Sequence, residues 1–118
     1  MSFDPSLAEE AFEDDVEGLA DFLRSVVTRL FENCEKVQAY AAGGDAPGLR
    51  AAAHAAKGSA GHLGGKEAED IASRIELAAK AGKIEGEDSL AALDEAARKL
   101  QERVESYIKK REAQRGSS

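Results

Sequence analysis

Apolar residues recur at alternating steps of three and four along residues 16–42, and this spacing is the strongest constraint on the fold. It places them on one side of an α-helix, because an α-helix has about 3.6 residues per turn. The apolar positions are Val16, Leu19, Leu23, Val26, Leu30, Cys34, Val37 and Ala41. Further apolar residues widen this stripe, which predicts contact with more than one neighbouring helix; they are Phe22, Val27 and Phe31.

Turn signals divide the rest of the chain into further helices. Gly43 and Gly44 predict the end of the first long helix, and Asp45 predicts the cap of the next one. We expect three more long helices, over residues 46–63, 66–81 and about 89–108, and a short helix that begins after Asp4 and Pro5. The expected inward residues are Leu7, Ala8, Ala11 and Phe12 in the short helix, and Ala68, Ile71, Ile75 and Ala78 in the 66–81 helix.

Four long amphipathic segments with short connections predict an all-α fold, an antiparallel up-and-down four-helix bundle with a short extra N-terminal helix. We expect the bundle in residues 1–110 and a disordered tail or linker in residues 111–118, because the apolar stripe ends at Ile108. We also expect a monomer. A coiled-coil dimer is the alternative, because the last helix has heptad spacing at Leu90, Leu93, Ala97, Leu100, Val104 and Ile108.

Charge and composition exclude several classes of partner. The net charge is −7, and no basic stripe with interleaved aromatic residues occurs, so we expect no nucleic-acid partner. No apolar run is long enough to span a bilayer and no signal-peptide pattern is visible, so we expect a cytoplasmic protein that does not bind membranes. The single cysteine, Cys34, excludes an internal disulfide, and its place in the apolar stripe predicts burial.

The residues best suited to chemistry lie between Ala52 and Gly65, in the run AAHAAKGSAGHLGG. On a helical wheel at about 100° per residue, the residues within about 60° of His54 are Arg50, Lys57, Gly58 and Gly61. The apolar positions centre about 140° away from His54; they are Leu49, Ala53, Ala56, Ala60 and Leu63. We therefore expect the imidazole of His54 to be exposed to solvent.

Two glycines on the histidine side of this helix need a reason, because glycine within a helix costs about 0.5–1 kcal/mol relative to alanine. Either the helix ends at Gly58, or Gly58 and Gly61 leave space beside the His54 ring. Lys57 lies one turn from His54 and brings a positive charge, which would stabilise an anion attached to the ring.

The sequence His54-Ala-Ala-Lys57-Gly58-Ser59, followed by Leu63 and Gly64, resembles the motif of the histidine phosphotransfer (HPt) domain family. That family has His-x-x-Lys-Gly and then a glycine at the turn after the helix, the place that Gly64 occupies. The resemblance covers roughly residues 4–110.

The resemblance implies a phosphocarrier of two-component and phosphorelay signalling. His54 would accept a phosphoryl group from a histidine kinase catalytic domain or a receiver domain and pass it to a response-regulator receiver aspartate. Lys57 would offset the charge of the phosphoryl group, while Arg50, Gly58 and Gly61 would contact the partner. The chain would need no cofactor of its own, since the receiver supplies the magnesium.

Glu76 is the predicted partner of the histidine ring. A tight turn at Gly64 and Gly65 places it about level with His54, where its carboxylate would accept the Nδ1 proton and leave Nε2 free as the nucleophile. The alternative is an ordinary solvated charge. In having glutamate at this place, the chain resembles the phosphoryl-accepting domains of chemotaxis kinases. Free-standing HPt domains often have glutamine there. Ser73 departs from the chemotaxis type, which often has a second histidine there.

Other chemistry is not supported by the sequence. Residues 61–66 resemble a phosphate-binding P-loop but have Ala60 and Glu67 at two defining positions, so the phosphoryl donor must be another protein. His62 lies about 12 Å along the helix axis from His54, too far to share a metal ion, and we expect no metal site. The remaining alternative is a helical adaptor that binds a partner through the Ala/Gly-rich face without phosphorylation.

Overall fold

Residues 2–116 of the computed structural model form five α-helices without a strand, and side chains are described as far as residue 114. The helices are α1 (Ser6–Phe12), α2 (Val16–Ala42), α3 (Ala46–His62), α4 (Lys66–Lys80) and α5 (Glu87–Gly116). The four long helices form a ring in which α2 packs on α3, α3 on α4, α4 on α5 and α5 on α2. Short turns make successive helices antiparallel, so the predicted four-helix bundle with an extra N-terminal helix is confirmed.

The helix boundaries follow local capping signals. Asp15 and Asp45 accept hydrogen bonds from the backbone N–H of Gly18 and Gly48, at 2.9 and 3.0 Å, and so cap α2 and α3. A glycine with positive φ follows α2 at Gly44, where φ is +69°. The bounds predicted for α2 are therefore confirmed, and those for α3 and α4 differ by one residue at their carboxyl ends.

The bundle interior consists of aliphatic side chains and alanine. In α3 and its carboxyl-terminal cap, all five predicted apolar positions are buried: Leu49, Ala53, Ala56, Ala60 and Leu63. The small alanine side chains let α3 lie close to both α2 and α4, which are its two neighbours. The predicted heptad positions of α5 also point into this core, so they are not free to form a coiled-coil dimer.

Two inward faces differ from the prediction. In α1 only Ala8 is buried; Phe12 is half-buried and Ala11 exposed, while 73% of Leu7 is exposed, because this seven-residue helix packs along a single edge. In α4 the alanines at 72 and 79 take the buried places, and the predicted Ile71 and Ala78 are half-buried. Small side chains fit that interface because α4 faces the alanine-rich side of α3.

The α5 helix runs from Glu87 to Gly116, so it continues past residue 108, where the last helix was expected to end. The Tyr107 hydroxyl donates to Glu9 Oε2 at 2.6 Å, and Arg111 Nη1 donates to the Tyr107 oxygen at 2.8 Å. Arg111 Nη2 also donates to the backbone carbonyl of Glu13 at 3.3 Å. These bonds hold the last turns of α5 against α1. Ser117 and Ser118 lie outside the described residues.

The molecule is elongated, with extents of 54 × 22 × 18 Å. The 27 residues of α2 and the 30 of α5 exceed the 17 of α3 and the 15 of α4, so the longer pair extends beyond the α3–α4 hairpin. The N-terminal segment closes that hairpin, because the Asp4 N–H donates to the Leu63 carbonyl at 2.9 Å. Among residues 2–116, no helix combines the length and the apolar character needed to cross a membrane.

Candidate functional site

His54 projects from the outer side of α3, away from the buried alanines of the same helix. Its side chain is 69% exposed, as the helical wheel predicts. The ring stands near the middle of the α3–α4 hairpin and its Nδ1 atom faces α4. One edge of the imidazole is therefore held by the protein, and the other edge is open to a partner.

The carboxylate of Glu76 joins the two helices at this point. Its Oε2 lies 2.8 Å from His54 Nδ1, and its Oε1 lies 2.8 Å from Lys57 Nζ. The predicted contact between Glu76 and the ring is therefore present. The ion pair with Lys57 was not predicted, because the spacing within α3 relates Lys57 to His54 but does not show how far it reaches across to α4.

The state of the Glu76 carboxylate decides which imidazole nitrogen is free. Burial acts to raise the pKa of Glu76, but the hydrogen bonds from Lys57 and His54 outweigh it and leave the pKa below its ordinary value. An ionised carboxylate can only accept hydrogen bonds, so Nδ1 must carry the proton. The neutral ring then presents the Nε2 lone pair to solvent.

The two glycines next to His54 differ in their surroundings. A Cβ added at Gly58 would meet no heavy atom of the described chain within 4 Å, apart from its own helix and neighbouring residues. At Gly61, a Cβ would lie 2.7 Å from Glu69 Oε2. Gly61 thus makes room for a side chain of α4, whereas Gly58 leaves open surface one turn from His54. The helix continues through both, so Gly58 is not the end of α3.

Shallow grooves run along both sides of the histidine. One is lined by Pro47, Arg50 and Ala51 together with His54 and Glu76. The other lies between α2 and α3, and its lining includes Arg29, Asn33, Gly58, Ser59 and His62. Sequence reasoning missed Arg29 and Asn33. Their spacing of four residues beside the apolar stripe of α2 was a signal, but it did not show which helix they would face.

Comparison with known proteins agrees with this geometry. A family model described as Hpt domain matches residues 8–109, which is most of the chain. The chain belongs to the Hpt domain family. Neither the curated proteins nor the solved structures gave a significant match. Membership gives the chain a phosphotransfer role in phosphorelay signalling, in which Hpt domains interact with kinases and receiver domains.

The turn that closes the Hpt hairpin requires glycine at Gly64. Its φ is +65°, and a Cβ there would lie 2.6 Å from the Asp4 Cβ and 2.8 Å from the Asp4 nitrogen. This glycine therefore sets the register of α4 on α3, and so the level of Glu76 relative to His54.

Metal ligands are not grouped around this site. Within the part of the chain that the structure describes, no cluster of three or more His, Cys, Asp or Glu side chains could hold a metal ion. The polar groups that the structure brings together at the site are the imidazole of His54, the carboxylate of Glu76 and the ammonium group of Lys57.

Proposed function

We propose that His54 is the phosphoryl carrier of this Hpt domain. It accepts the group on Nε2 from a histidine kinase catalytic domain or a phosphorylated receiver, and it passes the group to a receiver aspartate. The main support is the contact at 2.8 Å between His54 Nδ1 and Glu76, with the opposite edge of the ring exposed.

Each group in the cluster has a separate part in this transfer. The Nε2 lone pair forms a bond to phosphorus as the bond to the leaving oxygen breaks, either of ADP or of the receiver's aspartyl phosphate. The ring becomes positively charged in this step, and the Glu76 carboxylate stabilises that charge through Nδ1–H. The reverse step returns the phosphoryl group to a receiver carboxylate. Magnesium belongs to the partner, and this chain supplies no cofactor.

Lys57 exchanges partners in this mechanism. In the free protein its ammonium group is paired with Glu76 Oε1 at 2.8 Å, and its side chain is one-third exposed. A phosphoryl group on Nε2 is a second anion on the same face of α3, so Lys57 can turn toward it without leaving its helix position. Arg50 is exposed beside His54 and would add positive charge opposite an acidic receiver site.

The glycine surface supports docking of a partner over the histidine. Gly58 leaves the approach clear within one turn of His54, and Gly61 keeps Glu69 close to α3. A receiver must bring its aspartate within bonding reach of Nε2, and a large side chain at Gly58 would obstruct that approach. A phosphorylation-independent adaptor would use the same surface but would not need an accessible Nε2.

The chain's two histidines provide a matched test. The protein is incubated with a phosphorylated receiver, and transfer is followed by intact-protein mass spectrometry and by acid-labile label. We expect transfer to the wild type and to His62→Gln, and none to His54→Gln. Label on His54→Gln would mean that another residue accepts the phosphoryl group and would contradict the role of His54. Failure of the wild type with receivers and kinase domains from the same genome would favour the adaptor.

Glu76→Gln tests the orienting carboxylate. Glutamine can still accept the Nδ1 proton, but it loses the charge that stabilises the ring cation and pairs with Lys57. We expect slower phosphorylation by a kinase domain, by roughly tenfold or more, which is about 1.4 kcal/mol of barrier. Transfer from a phosphorylated receiver is expected to change less. Equal rates in both assays would contradict a role for Glu76.

A further inference from the structure

The end of the bundle away from the α2–α3 turn contains three helices instead of four. The start of α4 is level with Leu100, since a Cβ added at Gly65 would lie 3.3 Å from Leu100 Cδ1. Beyond that level α5 continues to Gly116; α2 packs against it, and α1 is joined to it by the hydrogen bond from the Tyr107 hydroxyl to Glu9. One side of α5 therefore has no helix against it.

This uncovered side of α5 forms a basic groove of about 660 Å³. Three of its lining residues are basic, Lys99, Arg103 and Lys110, and one, Glu102, is acidic; Ser106 and the Tyr107 ring complete the lining. Neither Arg103 nor Lys110 forms an ion pair with another residue of the described chain. Lys99 is paired with Glu95 at 4.0 Å, so Arg103 and Lys110 are the lining cations available to a partner.

The outward face of α1 and its following turn has the opposite character. Leu7, Glu10 and Ala11 lie at spacings of three and four on α1, Asp14 follows in the turn after the helix, and all four are exposed. Leu7, at 73%, has the highest exposure of the large exposed apolar residues. Glu10 and Asp14 form no ion pair within residues 2–114. This face, which we call the α1 face, combines apolar groups with free carboxylates.

We propose that two copies of this chain form a reciprocal dimer in which the α1 face of each copy occupies the basic groove of the other. The seven-residue helix takes the place of the missing fourth helix. Glu10 and Asp14 pair with Arg103 and Lys110, and Leu7 is covered by the partner. Since both copies contribute one α1 face and one groove, the contact closes with twofold symmetry.

The expected dimer is weak and sensitive to salt. Two contacts of this size together cover roughly 1,000 Å², which is the lower end of specific interfaces, so we expect a dissociation constant in the range of about 10 µM to 1 mM. Both copies are acidic, but at about 0.1 M salt the Debye length is about 10 Å, so facing charges outweigh distant ones.

This dimer leaves His54 uncovered, because the groove lies beyond the hairpin that carries it. The proposal replaces the monomer expected from the sequence, and it does not depend on phosphotransfer.

Charge reversal provides the test. Sedimentation velocity is measured over the stated concentration range on the wild type, on a groove variant (Arg103→Glu with Lys110→Glu) and on an α1 variant (Glu10→Lys with Asp14→Lys). We expect the wild type to dimerise and each variant alone to bind itself at least tenfold more weakly. An equimolar mixture of the two variants should dimerise again, because both contacts of the mixed pair regain opposite charges.

The control is Lys80→Glu with Lys83→Glu, which makes the same change in net charge at the other end of the bundle. It should dimerise like the wild type. A wild type that stays monomeric at protein concentrations up to about 1 mM, the upper end of the expected range of the dissociation constant, would overturn the proposal. Variants that fold by circular dichroism but do not associate when mixed would also overturn it, as would a dimer that neither variant weakens.

Discussion

Gly58 separates the requirements of the fold from those of function more sharply than any other residue of α3. A Cβ at Gly58 would contact nothing in the described chain outside its own helix, and the residue is helical. Gly58→Ala should therefore remove the helix cost of glycine and raise the free energy of unfolding by about 0.5–1 kcal/mol. The corresponding rise in melting temperature is roughly 2–5 °C for a domain of this size.

Gly48→Ala is the matched control, since it is the same substitution in the same helix. A Cβ at Gly48 would lie 2.5 and 2.6 Å from ring atoms of Tyr40 and 2.7 Å from Asp45 Oδ2. The ring and the capping carboxylate must then move, so we expect a loss of about 1 kcal/mol or more despite the gain in helix propensity. Urea unfolding followed by circular dichroism measures both variants. Equal stabilities for the two, or a destabilised Gly58→Ala, would refute the reasoning from local space.

Function should change in the opposite direction at Gly58. Gly58→Leu is expected to fold at least as stably as the wild type, but its side chain occupies the surface beside His54. Phosphoryl transfer from a phosphorylated receiver should slow by about tenfold or more, a barrier increase of about 1.4 kcal/mol. Transfer at the wild-type rate would mean that the partner does not approach over this glycine.

Three further outcomes follow from local contacts. Burial raises the pKa of the Cys34 thiol to about 12, so in native protein at pH 8 it should react with a thiol reagent at least about 100-fold more slowly than in urea. Tyr107→Phe removes the hydroxyl that joins α5 to Glu9, so stability should fall by about 0.5–1.5 kcal/mol and hydrogen exchange should quicken in the last turns of α5. The hydrogen bond from Arg24 lowers the pKa of Glu105 below 4.5. The contribution of the Arg24–Glu105 pair to folding stability is therefore present above that pH and is lost as the pH falls through the lowered pKa. The stability difference between the wild type and Glu105→Gln, at most about 1 kcal/mol at this exposed pair, should therefore close in acid.

Local signals in the sequence were enough to predict the main architecture. The apolar period gave the inner faces of α2 and α3, and Asp45 and Gly44 marked the turn between them, because capping and positive φ are local requirements. The exposure of His54 followed from the same period. Its contact with Glu76 could be predicted because the short turn at Gly64 fixes the level of α4 on α3.

What the sequence could not show depends on contacts between distant segments. The end of α5 is held by Arg111 and Tyr107 on α1, and no apolar spacing signals these bonds. Lys57 reaches Glu76 across the hairpin, a detail that depends on side-chain direction. The inward face predicted for α1 was wrong at Leu7, because a helix that packs along one edge buries a narrower stripe than its composition suggests.

The most direct test of the proposed function is to identify the atom to which phosphorus is attached. Nuclear magnetic resonance of the phosphorylated, ¹⁵N-labelled protein correlates the phosphorus nucleus with one ring nitrogen of one histidine. We expect phosphorus on Nε2 of His54, with Nδ1 still protonated and hydrogen-bonded to Glu76. Phosphorus on Nδ1 of His54, or on either nitrogen of His62, would contradict it.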